Sequence, residues 1–361
     1  MCLRAGFAPA CNGMGFDMKH ASRSWLLVVA AIFLTAGLWL MAGSRSLSGG
    51  TDPEAAGKVG GLRPALSKDK EEYLSLLERN IVSGGPPKDG IPSIDEPKYT
   101  SAEEADEWLL PNDVVFGVQL DGFIAAYPQR ILVWHEIVNE RVAGRPLAIT
   151  YCPLTGTAIG FHGRVAADVP TQFGVSGKLV NSNLIMYDRA SDSYWPQVLG
   201  TAIAGPAKGT ALEEFPVTWT TWARWKRKHP ETRVLSRRTG FFRDYGRQGD
   251  PYGSYLDEPR GYYDSETALF RPIHRDARLS PKTVVVGMRD AKGNALAILK
   301  ESLRRQRTIE TEIGGRTVVV RYDAALDAHR AKFKDSGERL NSFDAMWFAW
   351  AAFYPGTQLV Q

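Results

Sequence analysis

The stretch VVFGVQLDGFIAAYPQRIL, residues 114–132, decides the fold because a second stretch of the chain follows the same pattern. That second stretch is VVVGMRDAKGNALAILKESL, residues 284–303. In the first, apolar and polar positions alternate around Asp121-Gly122, a pattern typical of a β-hairpin. The match predicts one folding unit that occurs twice in the chain.

Further matches lie on the carboxyl side of each hairpin. VAGRPLAITY, residues 142–151, aligns with IGGRTVVVRY, residues 313–322. A set of residues at helical spacing also recurs with unchanged gaps: Trp222, Trp225, His229, Pro230 and Thr232, and then Trp347, Trp350, Tyr354, Pro355 and Thr357. We therefore predict an α+β fold, in which a strand-rich core is built from two diverged copies of a hairpin-strand-helix unit.

The chain has 361 residues with a net charge of +4, and its 10 Trp provide ample material for a core. This small charge does not indicate a nucleic-acid surface, so no nucleic-acid partner is expected. The length allows one large domain or two ordinary ones.

The apolar run WLLVVAAIFLTAGLWLMA, residues 25–42, is long enough to cross a bilayer as one transmembrane helix. Lys19 and Arg23 precede it, so the positive-inside rule places residues 1–24 in the cytoplasm and the bulk of the chain outside. We predict a single-pass protein of the cytoplasmic membrane; a cleaved signal peptide, which would make the protein secreted, is the alternative.

The remaining boundaries follow from composition and from the matching stretches. They are a flexible tether over 43–66, a helical lead-in over 67–112, a first repeat half over 113–239, a connecting loop over 240–283 and a second half over 284–361. The first half carries an inserted region that begins with YCPLTGT at Tyr151. Function is expected at this insertion.

The two copies differ in chemistry at two positions. The second copy has Gln306 in place of His135, and Asp323 in place of Cys152. Cys152 is also the one cysteine that follows the apolar run, and a lone thiol outside the cytoplasm needs protection from oxidation. Antiparallel pairing of the intervening strands is expected to bring His135 and Cys152 to one end of the sheet.

A thiol beside an imidazole predicts a soft-metal site, and copper is the favoured metal. Its expected ligands are Cys152 and His135, with Met186 as a third soft ligand. Alternatively the chain is a cysteine-dependent acyl transferase or hydrolase, with Cys152 as nucleophile, His135 as base and Glu136 or Asn139 as orienting group. Both interpretations stay open at this stage.

A third interpretation is a binding module without catalysis, whose aromatic cleft takes a peptide or a glycan. The tyrosines between Tyr252 and Tyr263 are expected to contribute to that cleft. Across these interpretations, the candidate substrate-binding residues are Trp134, Thr155, Ser176, Asn181, Asn183, Asp188 and Trp195.

The motifs WHEIVN (134–139), YCPLTGTAIGF (151–161), FGVSGKLVNSNLIMYDRASDSYWPQ (173–197) and WFAWAAFYP (347–355) resemble a widespread family of exported bacterial and archaeal proteins. That family is known only as a domain of unknown function, so the resemblance implies no activity. The resemblance also implies that many relatives have a second cysteine at the position where this chain has Thr155. A dithiol mechanism therefore fails for this member.

Overall fold

The computed structural model of the chain describes residues 66–246, 248–254 and 260–361. Over these residues the polypeptide forms six α-helices, and only the first of them exceeds seven residues. The helices are α1 (Lys68–Arg79), α2 (Ala102–Asp106), α3 (Gln129–His135), α4 (Trp222–Lys228), α5 (Lys300–Gln306) and α6 (Trp347–Phe353).

Strands dominate the described part of the chain. They are β1 (Val82–Ser83), β2 (Tyr99–Thr100), β3 (Val114–Leu120), β4 (Phe123–Pro128), β5 (Ile137–Val142), β6 (Arg145–Cys152), β7 (Thr157–His162), β8 (Arg164–Val165), β9 (Val169–Pro170), β10 (Phe173–Val180), β11 (Asn183–Asp188), β12 (Tyr194–Pro196), β13 (Glu214–Phe215), β14 (Thr218–Thr221), β15 (Arg233–Leu235), β16 (Gly253–Ser254), β17 (Arg260–Gly261), β18 (Val284–Arg289), β19 (Ala295–Leu299), β20 (Thr308–Ile313), β21 (Arg316–Asp323), β22 (Ala328–Phe333), β23 (Arg339–Leu340), β24 (Ser342–Met346) and β25 (Gln358–Val360).

Most of these strands form the five blades of a β-propeller. In order across each sheet, blade 1 is β14-β3-β4-β15-β2, blade 2 is β13-β7-β6-β5, blade 3 is β1-β10-β11-β12, blade 4 is β24-β18-β19-β25 and blade 5 is β20-β21-β22-β23. The largest buried apolar cluster draws residues from blades 2, 3 and 4 and from α6. The core therefore lies between the blades as well as within them.

The prediction of an α+β fold built from two halves is wrong, because each hairpin and the strand after it belong to different blades. β3 and β4 lie in blade 1, whereas β5 and β6, which follow α3, lie in blade 2. Strands distant in sequence then complete the sheets: β14 pairs with β3, and β24 pairs with β18. The helices are too short to form a layer of their own.

The two matching stretches nevertheless have the same local geometry. Gly117 in β3 lies against the ring of Trp225, and Gly287 in β18 lies against the ring of Trp350. Trp225 donates from Nε1 to the Thr232 hydroxyl at 2.9 Å, and the same bond joins Trp350 to Thr357 at 3.1 Å. This shared geometry describes structure only, and the duplication itself stays a prediction.

The expected membrane anchor, residues 25–42, and most of the tether lie outside the described residues. Within the residues that are described, no helix is long and apolar enough to cross a membrane. The lead-in over 67–112 contains α1 and α2, and it also supplies β1 to blade 3 and β2 to blade 1. The connecting loop over 240–283 contains the short antiparallel pair β16 and β17.

Candidate active site at the end of β6

The turn after α3 brings Glu136 to the end of β6. Glu136 ends the helix with a positive φ of 56°, and its N–H donates to the Leu132 carbonyl at 2.7 Å. Its own carbonyl accepts from the N–H of Tyr151 at 2.8 Å, one residue before Cys152. A left-handed conformation at a residue other than glycine costs about 1–3 kcal/mol, so the surrounding contacts must stabilise it.

Glu136 supplies a largely buried carboxyl group at this turn. The residue is only 6% exposed. Burial raises the pKa of this carboxyl to about 8, so the group is mostly protonated at neutral pH. A buried carboxyl with a strongly shifted pKa marks a candidate functional site.

Cys152, the last residue of β6, is 1% exposed and lies close enough to Glu136 for the charge of the carboxylate to act on the thiol. Burial and, to a smaller extent, the charge of Glu136 raise the pKa of the thiol to about 11. Three hydrogen-bond donors lower the pKa of the thiol. They are the hydroxyl and N–H of Thr155 and the Leu184 N–H, which lies 3.4 Å from Sγ. The sulfur is therefore a neutral thiol at rest, with donors already placed to stabilise a thiolate.

The loop that leads from β15 of blade 1 to β18 of blade 4 brings aromatic residues to this site. The Tyr252 ring lies 6.2 Å from that of Tyr262, whose hydroxyl donates to the Leu154 carbonyl at 2.7 Å. Burial raises the pKa of Tyr252 well above its usual value, and the charges of Glu136 and Cys152 raise it further. The thiol, the carboxyl and the Tyr252 hydroxyl are therefore all poorly solvated and close enough for their charges to interact.

A buried polar network fixes the YCPLTGT loop beneath the thiol. Thr155 and Thr157 hydroxyls lie 2.8 Å apart, and the Thr157 hydroxyl donates to Gln197 Oε1 at 2.6 Å. Asn183 donates from Nδ2 to both Thr155 Oγ1 and Gln197 Oε1 at 3.1 Å. Every member is paired, so the network holds the loop rigidly.

His135 does not form a pair with Cys152. Its Nε2 lies 2.6 Å from the Tyr245 hydroxyl, and its Nδ1 lies 2.7 Å from the Pro92 carbonyl, which can only accept. Nδ1 therefore carries the proton and Nε2 accepts from Tyr245. Burial lowers the pKa of His135 to about 4, so the ring is neutral at physiological pH.

The expected soft-metal ligands are not assembled. Both nitrogens of His135 are engaged, and Met186 is a fully buried core residue of β11. Across the described ranges, no group of three or more His, Cys, Asp or Glu side chains could hold a metal ion. Copper binding stays a prediction that this geometry does not favour.

The other predicted site residues use their polar groups inside the protein. Asn139 bonds Asp95 and the backbone of Phe173. Further internal bonds join Trp134 Nε1 to the Asp244 carbonyl, Ser176 to the Ile185 carbonyl, Asn181 to Ala352 and Ile273, and Asp188 to Ser191, Ser193 and Trp195. Their roles in ligand binding stay predictions.

Sequence reasoning gave Gln129 and Asp250 no role at this site, although the charge of Asp250 acts on Tyr252. Gln129 donates from Nε2 to Asp250 Oδ2 at 2.7 Å, and burial raises the pKa of Asp250. Asp250 lies in a Gly- and Asp-rich loop whose composition suggests solvent exposure. Only the Tyr residues around it signal that the loop is packed.

Comparison with known proteins gives a family and no activity. A family described as "Protein of unknown function (DUF3179)" matches residues 88–336. That range begins before blade 1 and ends within blade 5. No curated protein matches the chain, and no solved structure matches it.

Proposed function

The chain belongs to the DUF3179 family, and we propose that it is a cysteine-dependent enzyme of the acyl-transfer or hydrolase type. Cys152 is the nucleophile and Glu136 is the group that exchanges its proton. The observation that carries this proposal is the largely buried Glu136 carboxyl, whose pKa is raised to about 8 and whose charge acts on the nearby thiol. This assignment replaces His135 as the base, because both nitrogens of that ring are engaged.

The reaction proceeds in two steps. Ionised Glu136 takes the thiol proton while the sulfur attacks the carbonyl carbon of an acyl compound, and a thioester bond forms on Cys152. Protonated Glu136 then gives the proton to the leaving group, whose bond to the acyl carbon breaks. Water or another acceptor attacks the thioester, releases the acyl product and restores the thiol.

The pKa values set the cost of the first step. Moving a proton from a thiol of pKa about 11 to a carboxylate whose acid has a pKa of about 8 is uphill by roughly 4 kcal/mol. The N–H donors of Leu184 and Thr155 stabilise the developing thiolate. This cost is small beside the barriers that enzymes overcome.

The test measures hydrolysis of p-nitrophenyl acetate by the full-length protein, together with the rate of alkylation of Cys152 by iodoacetamide. We expect ester hydrolysis to rise with pH through about 8, as Glu136 ionises. Cys152→Ser should abolish both signals. Asp323→Ser, a change at the corresponding position of the second stretch, is the matched control and should preserve both.

Glu136→Gln separates proton transfer from mere burial. Because the charge of Glu136 raises the pKa of Cys152, its removal should leave alkylation as fast or faster. Ester hydrolysis should instead fall by about 10²–10⁴-fold and lose its dependence on pH near 8. Unchanged hydrolysis in this variant would refute the role of Glu136, and stoichiometric copper that is lost in Cys152→Ser would favour a metal site.

The proposed location is the outer face of the cytoplasmic membrane, with residues 25–42 as the anchor. The support is the uncharged apolar run together with Lys19 and Arg23 before it. Cell fractionation followed by protease treatment of spheroplasts tests it. Membrane-bound protein that is digested from outside agrees with the proposal, whereas protein that stays soluble and protected contradicts it.

A further inference from the structure

A cavity lies where residues of blades 1, 4 and 5 meet, and Gly156 of the YCPLTGT loop also lines it. Its volume is about 410 Å³, within the range of roughly 300–1,000 Å³ that is typical of small-molecule pockets. Its polar lining includes Trp219 and Thr221 from blade 1, Thr283 just before β18, and Lys300 at the start of α5. Leu299 and Met346 add apolar wall.

The charges around this cavity are already paired with one another. The Lys300 ammonium forms a buried ion pair with Asp344, and Asp344 also accepts from His329 Nε2 at 3.1 Å. Arg304 binds Asp327 through two hydrogen bonds of 2.9 and 2.6 Å. Among the described residues that line the cavity, no cation is unpaired, and Asp344 and Asp327 each already have a cationic partner.

Several hydrogen-bonding groups remain free to face a ligand. Lys300 has three N–H donors, and Asp344 is its one hydrogen-bond acceptor among the described residues. The hydroxyls of Thr221 and Thr283 have no partner in the described part of the chain. The indole of Trp219 supplies a flat apolar wall beside them.

The cavity lies beside the second of the two matching stretches, and the first stretch has different residues at the corresponding positions. The position of Thr283 corresponds to Asp113, and the position of Glu301 on α5 corresponds to Arg130 on α3. In the first stretch, Asp113 and Arg130 form a buried ion pair at these positions. In the second stretch, Thr283 and the exposed Glu301 take their place, and both line the cavity.

We propose that this cavity binds a neutral, hydroxyl-rich small molecule of monosaccharide size. Free hydroxyls, a partly committed ammonium and one aromatic wall suit a sugar ring, which has polar edges and apolar faces. Paired charges bind hydroxyl groups through hydrogen bonds without demanding a charged ligand. This site is independent of the reaction proposed at Cys152.

The experiment measures binding to the full-length protein by saturation-transfer NMR and calorimetry. The probes are glucose, galactose, mannose and myo-inositol, with succinate and choline as anionic and cationic comparisons. At least one neutral probe should bind saturably, and Cys152→Ser should leave this binding unchanged. Binding that depends on Cys152 would place the ligand at the thiol and overturn the proposal.

Variants locate the ligand. Thr221→Val and Thr283→Val should each weaken binding by about two- to tenfold, because each removes one hydroxyl without changing the side-chain volume. Thr308→Val, on an exposed position of β20, is the matched control and should bind normally. The proposal fails if no neutral probe binds, if succinate or choline binds instead, or if neither cavity variant affects binding.

Discussion

The turns after α3 and α5 have the same backbone and opposite chemistry. Glu136 ends α3 with a φ of 56°, and Arg307 ends α5 with a φ of 66°. Each residue donates its N–H to the carbonyl of a leucine four positions earlier, and each accepts from the N–H of a tyrosine, Tyr151 or Tyr322. The strained turn is therefore a property of the scaffold and is not by itself a sign of catalysis.

The side chains at these turns carry the difference. Glu136 is buried near Cys152, whereas Arg307 is exposed and lies over the ring of Tyr322 at 5.1 Å. The counterpart of Cys152 is Asp323, which is paired with Lys228 on the surface of the neighbouring blade. The same turn thus places a buried carboxyl near a buried thiol in one stretch and ordinary surface charges in the other.

The largest expected difference between the two stretches concerns Arg130 and Glu301. Arg130 is buried, pairs with Asp113 and donates to the Trp108 carbonyl at 3.0 Å. Arg130→Met should lower the free energy of unfolding by about 3–5 kcal/mol, because the Asp113 carboxylate stays buried without its cation. Chemical denaturation measures this loss.

Glu301→Met is the matched change on α5. The Glu301 side chain is 59% exposed, and its ion pair with Arg304 at 3.6 Å is in contact with solvent. Exposed ion pairs contribute little, so little stability should be lost. Equal losses of stability from Arg130→Met and Glu301→Met would show that the exposed Glu301 contributes as much to stability as the buried ion pair of Arg130. The comparison between the two stretches would then fail at this point.

Glu136→Gln should raise stability above neutral pH. The folded-state pKa of about 8 exceeds the value of 4.5 for a free carboxyl, so between these values the folded protein holds a proton that the unfolded chain has released. The stability of the wild type therefore falls as pH rises from about 4.5 to 8. The variant should escape this loss and gain about 2–4 kcal/mol at pH 8.

Thermal and denaturant unfolding at pH 5 and pH 8 check this prediction. Arg307→Gln, at the corresponding turn, should leave the dependence of stability on pH unchanged. If Glu136→Gln shows the same dependence as the wild type, then Glu136 has an ordinary pKa and its carboxyl is solvated. That result would also remove the support for the proposed reaction.

The two glycine-tryptophan contacts should respond alike. A methyl group added at Gly117 would overlap the Trp225 ring, and one added at Gly287 would overlap the Trp350 ring. Gly117→Ala and Gly287→Ala should each lower the free energy of unfolding by about 1–3 kcal/mol, because neither buried indole can move away freely. A large loss at one position and none at the other would show that the blades tolerate strain differently.

The sequence predicted local structure better than architecture. The hairpin around Asp121-Gly122 is confirmed, and α4 ends before Pro230 as its sequence indicates. The number of blades could not be read from the sequence, because strands such as β13 and β14 are short and pair with partners far away in the chain. Apolar periodicity marks a strand and does not identify its sheet.

The same limit applies to the candidate site. The sequence drew attention to Cys152, His135 and Glu136 together, but it favoured His135 as the partner of the thiol. The positive φ at Glu136 determines whether the side chain of His135 or that of Glu136 lies near the end of β6. Glutamate has no intrinsic preference for this conformation, so the sequence does not reveal it. Loop residues such as Asp250 were also hidden, since their composition resembles that of a solvated loop.

The smallest expected effect is that of His135→Gln, which installs the residue found at the corresponding position 306. The folded-state pKa of about 4 lies below the unfolded value of 6.5, so the unfolded chain alone takes up a proton between these values. The wild type therefore loses stability as pH falls through this window, by about 1–2 kcal/mol between pH 7.5 and 5.

The Gln variant should lack this part of the acid sensitivity while losing the hydrogen bonds to Pro92 and Tyr245 at every pH. Melting temperatures of both proteins at pH 7.5 and 5 should therefore converge as the solution is acidified. Because His135 supports the turn and takes no part in the proposed proton transfer, ester hydrolysis should keep its rise near pH 8. A shift in the pH of that rise in the variant would show that His135 acts as the base. The chemical difference between the two turns would then come from the imidazole and not from the carboxyl.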